Sequence, residues 1–247
     1  MNENAFLLNQ LTIQYLGSAT PTIENLSLSI RKGHWTCLLG KSGCGKSTIL
    51  RYLANLLPIE TQISGGLPQV QQQYLQHNIA YMGQEDLLMP WLSALENVCL
   101  HKKFMGKTTT QDRQNAVQLL AELGLEEKIH VYPRELSGGM RQRVALARTL
   151  IQDKPVILMD EPFSALDAVT RHQLQSLAFE RLRHKTVLMV THDPAEATRL
   201  AHEIFIFQPN QLATTKINLT TPPPRAISEN TAKVQEDIYR HLESIHE

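Results

Sequence analysis

Cysteine is scarce: Cys37, Cys44 and Cys99 are the only three, and none forms a CxxC pair. An odd count without that spacing argues against a disulfide framework or a zinc site, and leaves ordinary reduced thiols as the expectation. Net charge is lacking too. Lys plus Arg total 24 and Asp plus Glu total 24, so no global basic field recruits nucleic acid or an anionic membrane, and no nucleic-acid partner is expected. Long apolar runs are missing: the longest, such as residues 156–159 and 204–207, are about four residues against the ~20 a spanning helix needs. The start, Met1-Asn2-Glu3-Asn4, has neither a positive nor an apolar segment, so no secretory signal is expected and the cytoplasm is the expected compartment. What is present is a 247-residue chain with 42% hydrophobic and 19% charged residues. That balance supports a buried core, in one large domain or two small ones.

Three runs near the start have β character, residues 11–15, 25–30 and 35–39, separated by turn-like Gly17-Ser18 and Arg31-Lys32-Gly33. The simplest reading joins them in an N-terminal sheet. The third leads into Gly40-Lys41-Ser42-Gly43-Cys44-Gly45-Lys46-Ser47-Thr48, after which Ile49, Leu50, Leu53, Leu56 and Leu57 recur at helical spacing. Residues 64–76 are rich in glutamine without firm periodicity, which predicts a variable surface segment. Helical patterns dominate from 90 to 151 and predict a helical insert. Strand signals return at 156–159, 186–190 and 203–207 with helical patterns at 167–183 and 194–201 between them, the alternation of a parallel sheet. Past Thr220, Pro222-Pro223-Pro224 reads as a stiff linker, and Val234, Ile238, Leu242 and Ile245 mark one apolar face of a terminal helix.

Strand, glycine-rich loop and helix in that order make residues 40–47 a phosphate-binding loop. Gly43 and Gly45 admit positive φ and a close backbone approach, so successive N–H groups and the helix N-terminus can face phosphate oxygens. Lys46 would reach the β and γ phosphates of ATP, and Ser47 would offer its hydroxyl to Mg²⁺. The apolar strand 156–159 then delivers Asp160 and Glu161 at its C-terminal end, where doubly wound sheets bind ligands. Asp160 suits the Mg²⁺ shell, and Glu161 can polarise a water in line with the γ-phosphate.

Leu136-Ser137-Gly138-Gly139-Met140-Arg141-Gln142-Arg143 resembles the signature motif of ATP-binding-cassette (ABC) ATPases. The other motifs of that family follow in order: Gln84 resembles the Q-loop, Ser164-Ala165-Leu166-Asp167 the D-loop and Thr191-His192-Asp193 the switch histidine. Met140 stands where the signature usually has Gln. Tyr15 sits where the family keeps an aromatic that stacks on adenine; read alone, an aromatic on a half-buried strand is more often core. Gln84 and His192 alone would pass for a surface residue and a capping histidine. The resemblance, spanning residues 7–207, implies an α/β fold. It would hold a P-loop NTPase core with a mostly parallel sheet flanked by helices, an N-terminal antiparallel β subdomain and an inserted α-helical subdomain. The boundaries it suggests are 1–220 for the ATPase domain, about 88–152 for the insert and 221–247 for the linker and terminal helix.

The same resemblance implies a head-to-tail ATP-sandwich dimer of two copies, with Ser137, Gly138, Gly139 and Met140 of one facing the nucleotide held by the other. Lys41, Ser42, Cys44 and Thr48 complete the nucleotide loop, Ser47, Gln84 and Asp160 the metal set, and Glu161, His192 and Gln84 the catalytic set, with Asp167 in the D-loop. Physically, a serine and two glycines opening a helix can aim a hydroxyl, amides and a positive dipole end at a transferring phosphate. Residues 86–98 resemble importer ATPases of the nitrate, sulfonate and taurine group, including members for thiamine-precursor pyrimidines. The expected partners are separate membrane permease subunits and an external solute-binding protein, with this chain peripheral on the cytoplasmic face of the inner membrane. The 88–91 segment is expected to expose an apolar patch to the permease. A soluble ATP-switched cassette and a separate-subunit exporter ATPase are the alternatives.

Overall fold

A computed structural model describes residues 4–106, 108–207, 215–219 and 221–243. The opening triplet Met1-Asn2-Glu3 and Ile245 of the terminal helix lie outside the described residues. The chain divides into two units, the first drawn from Met1–Ile79, Pro155–Asp160 and Arg183–Glu247, the second from Ala80–Lys154 and Glu161–Leu182.

In the first unit, β1 (Asn4–Gln14) pairs antiparallel with β2 (Ile23–Arg31) on one side and with β4 (Gln62–Gly66) on the other. Phe6, Leu8, Leu11 and Ile13 of β1 are all buried, although the step from Leu8 to Leu11 breaks the period of two. A register shift between those residues, with Gln10 at φ 47°, absorbs the odd residue and keeps both halves of the strand facing inward. Glycine brings β4 close: a Cβ on Gly65 (φ +68°) would lie 2.1 Å from the Gln10 carbonyl oxygen. The sequence signal for residues 64–76 was too weak to assign elements, yet the segment forms β4 and then α2 (Gln69–Asn78). Pro68 opens that helix and Leu75 is its one buried residue, so backbone pairing and a proline start shape it rather than apolar periodicity.

The 35–39 run does not join the N-terminal sheet. β3 (Trp35–Gly40) is buried along its whole length, the pattern of a strand covered on both faces. It lies parallel between β7 (Thr186–Thr191) and β8 (Glu203–Phe207), with β6 (Val156–Asp160) beyond β7 and β9 (Thr215–Asn218) antiparallel on β8. Helix α1 (Lys46–Leu53) packs on β3, β6 and β7, burying Ile49, Leu50 and Leu53. Helix α9 (Glu229–Glu243) packs on α8 (Pro194–Leu200) and β8, with Ile238 fully buried and Val234 and Leu242 half-buried. Before α9, the buried Arg225 ties residues 221–225 down: its guanidinium donates to the carbonyls of Thr198, Ala201 and Thr221 and to the Thr221 hydroxyl.

β5 (Ile79–Met82) leads into the second unit, which is helical. Helices α3 (Ala94–Val98) and α5 (Thr110–Glu122) each open on a reciprocal capping box, Ser93 with Glu96 and Thr109 with Asp112, and α4 (Leu100–Phe104) follows α3 directly. Both pack against α6 (Gly138–Leu150), whose Val144, Ala145, Leu146 and Ala147 are buried. α7 (Ala168–Arg181) completes the unit, its Arg181 paired with Glu122 of α5. Asn97, fully buried in α3, accepts from Met89 N at 2.8 Å and donates to the carbonyls of Met89, Leu92 and Ser93. One side chain thereby fixes the turn that carries Trp91. Among the described residues, no helix is long and apolar enough to cross a membrane.

Candidate nucleotide-binding site

β3 runs into the loop that turns at Gly43 (φ +82°) and Gly45 (φ +96°) before α1 begins. A Cβ on Gly45 would sit 2.4 Å from Ile23 Cδ1, and one on Gly40 would sit 2.5 Å from the Phe207 carbonyl oxygen, so the loop needs glycine at both positions. Gly45 caps α1 without a side-chain bond, so no capping side chain competes with an anion for the first-turn N–H groups. Lys46 is buried, and its Nζ donates to the Gly40 and Lys41 carbonyls, both at 2.7 Å, and to Cys44 Sγ at 3.6 Å. The ammonium thus lies inside the curve of the loop. Ser42 and Gly43 are exposed, Lys41 and Ser47 half-buried, and Cys44 and Thr48 buried. Half-buried Tyr15 sets its hydroxyl 3.2 Å from Thr48 Oγ1, so the aromatic lies beside the start of α1. Cys37 is buried in β3, and burial pushes its thiol well above the usual range, which makes it packing rather than chemistry.

Strand register aligns the rest of this unit's candidates. Leu39 pairs with Thr191 and Asp160 with Val190, so the strands leading to Gly40, Asp160 and His192 end at one edge of the sheet. The Asp160 side chain is buried at that edge and His192 is exposed. Asp193 next to it accepts from Ala195 N at 2.8 Å and so fixes the start of α8.

In the second unit, Ser137 caps α6 by accepting from Met140 N at 3.2 Å, and Ser137 and Gly138 are exposed at the helix start while Gly139 and Met140 are half-buried. Exposed Gln84 and Gly138 line one cleft of about 370 Å³, together with Asp86, Arg141, Ser164 and Ala165. Half-buried Glu161 has φ 49°, a left-handed conformation unusual for a residue with a side chain. Exposed Asp167 caps α7 through Thr170 N at 3.0 Å, and that amide holds its carboxyl below the usual range.

Several residues that organise this unit escaped the sequence reading. Arg141 Nε pairs with Asp86 Oδ2 at 2.8 Å, and Arg148 donates to the carbonyls of Leu87 and Asp86 at 2.8 and 2.6 Å. Two arginines seven positions apart on α6 thereby hold the segment just after Gln84, and that spacing on one helix face was the available signal. The expected apolar patch is also redistributed. Leu88 is buried at 8% exposure, while Leu87 at 55% and Trp91 at 70% face solvent. The Asn97-braced turn rolls Leu88 inward and its neighbours out.

The family model for the ABC transporter matches residues 23–164. The chain belongs to the ABC transporter family. Within it, the chain is 42% identical over 229 residues to an uncharacterised ABC transporter ATP-binding protein of Haemophilus influenzae, covering 89% of this chain and 91% of that protein. It is 40% identical over 215 residues to SsuB 3 of Paraburkholderia xenovorans, named as an aliphatic sulfonates import ATP-binding protein, covering 86% and 81%. A dimeric structure of the bacterial ABC transporter cassette MJ0796 superposes with a TM-score of 0.72 at 29% identity, over 90% of this chain and 100% of that one. The same cassette in a post-hydrolysis state bound to ADP and Pi gives 0.71. The α/β fold expected from the motifs, with its antiparallel sheet, parallel-dominated sheet and helices, is the fold observed, and the chain is an ABC ATPase.

Proposed function

We propose that this ABC ATPase drives uptake of a small organic anion of the aliphatic sulfonate type, working as a head-to-tail pair of identical chains. They would sit beneath a separate permease on the cytoplasmic face of the membrane, with an external solute-binding protein delivering the cargo. The observation that carries the ATPase chemistry is the shared strand edge of the Gly40–Lys46 loop and the buried Asp160. The import assignment is supported by the sulfonate importer ATPases at 38–41% identity.

In this reading the loop amides and Lys46 bind the phosphates, and Tyr15 lies against the base. The Ser47 hydroxyl and Asp160 carboxylate are the hard oxygen donors Mg²⁺ prefers, so the residues present fit that ion, and Gln84 is proposed as its further ligand. When bound, Mg²⁺ supplies neutralisation of the phosphate charge. Glu161 takes a proton from the attacking water, His192 and Gln84 contact the γ-phosphate, and Ser137 to Met140 with Asp167 of one copy serve the nucleotide of the other. Exposed Leu87 and Trp91 offer the permease an apolar contact.

The test is purification of tagged Glu161→Gln chain from gently solubilised membranes with ATP present, followed by identification of what accompanies it. A multi-span permease is the expected companion. Recovery from the soluble fraction alone, with no membrane protein, would replace import with a soluble switch.

A further inference from the structure

Glu161 is held from an unexpected direction. Its left-handed backbone (φ 49°) turns its carbonyl oxygen toward three donors: Ser164 N at 3.3 Å, Ser164 Oγ at 3.1 Å and Gln142 Nε2 at 3.1 Å. The first two come from the same turn. The third comes from α6, the helix that Ser137 opens. Gln142 is buried, and its other amide atom is also committed, since Oε1 accepts from Ala165 N at 2.9 Å. One side chain therefore clips both ends of the 161–165 turn to α6. Gly139, one turn earlier on α6, supports the same contact: a Cβ there would lie 3.1 Å from the Ala165 carbonyl oxygen, so the helix approaches the turn too closely for a larger residue to fit freely.

We infer that Gln142 is a positioning residue for hydrolysis, fixing the strained Glu161 peptide to the helix that begins with Ser137-Gly138-Gly139. This rests on Glu161 acting as the base. A residue in the left-handed region holds that conformation only while its surroundings over-determine it, and misplacing a catalytic group by about 1 Å can cost on the order of a hundredfold in rate. The carboxylate's placement and the signature segment then share one rigid support. Nucleotide binding, which falls to the Gly40–Thr48 loop, does not depend on the clip.

The test uses the full chain with Gln142→Met, which keeps the length of the side chain and removes its three hydrogen bonds, to Glu161 O, Ser164 Oγ and Ala165 N. Ser164→Ala, at an exposed position, removes one donor from the same carbonyl and also an acceptor that Gln142 Nε2 reaches at 3.3 Å. The expected result is a kcat reduced about tenfold or more by Gln142→Met and about two- to threefold by Ser164→Ala, with the KM for ATP within twofold of wild type in both. Unchanged kcat in Gln142→Met, or a rise in KM matching the fall in kcat, overturns the positioning role. If Gln142→Met does not fold, an unchanged kcat in Ser164→Ala overturns it instead. Glu161→Gln is assayed alongside: retained turnover there means that the base assignment has failed, whereas an inactive Glu161→Gln beside a fully active Gln142→Met condemns the clip alone.

Discussion

Arg225 Nη1 donates to the carbonyls of both Thr198 and Ala201, at 2.9 and 2.7 Å, so a buried cation closes the last turn of α8. Those carbonyls lie at the negative end of the helix, where a positive charge is favoured. The backbone joins in, with Arg225 N donating to Arg199 O at 2.9 Å and Arg199 Nη1 to Arg225 O at 2.9 Å. Replacing Arg225 with Met is expected to cost about 2–4 kcal/mol, since it strips charged donors from carbonyls that stay buried. Urea unfolding should show a lower midpoint at an unchanged slope.

Two phosphate-site substitutions should separate binding from chemistry. Lys46→Ala removes the ammonium inside the loop and is expected to abolish measurable ATP binding by titration calorimetry. Glu161→Gln is expected to bind ATP normally and to hydrolyse it about 10²- to 10⁴-fold more slowly, the usual worth of a general base. Normal affinity in the first variant, or normal turnover in the second, would reject the corresponding role.

Acid should weaken the fold through His202. Its Nδ1 accepts from Trp35 N at 3.0 Å, and its ring meets His34 edge-on at 4.8 Å between centroids. Burial first, then His34 and Arg225, push its pKa from 6.5 to about 4, against a smaller opposing pull from Glu203. The unfolded chain therefore takes up a proton near 6.5 that the folded chain refuses until about 4. The stability linked to the neutral ring is complete above pH 6.5 and is lost progressively as the pH falls toward 4. With the ring half in solvent, about 1–2 kcal/mol is expected. Denaturation midpoints at pH 7 and pH 5 should differ less in His202→Asn, which keeps an acceptor and cannot be protonated.

Asn97→Leu should release the turn bearing Trp91. The substitution leaves Met89 N and three carbonyls without their buried partner. A loss of about 2–3 kcal/mol is expected, visible as a lower melting temperature. Hydrolysis by the purified chain should change far less than stability does.

The candidate site could be proposed from the chain because its segments are local. The Gly40–Thr48 loop, the Asp160-Glu161 pair and the Ser137-Gly138-Gly139 helix start are contiguous residues whose chemistry depends on immediate neighbours. The misassigned pieces depend on partners distant in sequence. β3 has the same β signal as β1 and β2, and only its burial on both faces sends it between β7 and β8. β4 has almost no apolar signal because what it needs is glycine against the Gln10 backbone. Gln142, Arg141 and Arg148 look like an ordinary polar helix face until Glu161 and Asp86 are seen beneath them. Long-range hydrogen bonding leaves no periodic trace in a sequence.

The division of the chain between Asp160 and Glu161 gives the two acidic residues different hosts. The carboxylate proposed for the metal belongs to the unit that carries the phosphate loop; the proposed base belongs to the helical unit, whose two segments are separated in the sequence by Pro155–Asp160. If the proposed roles hold, a substitution confined to the helical unit can silence cleavage while leaving the phosphate loop and its carboxylate untouched.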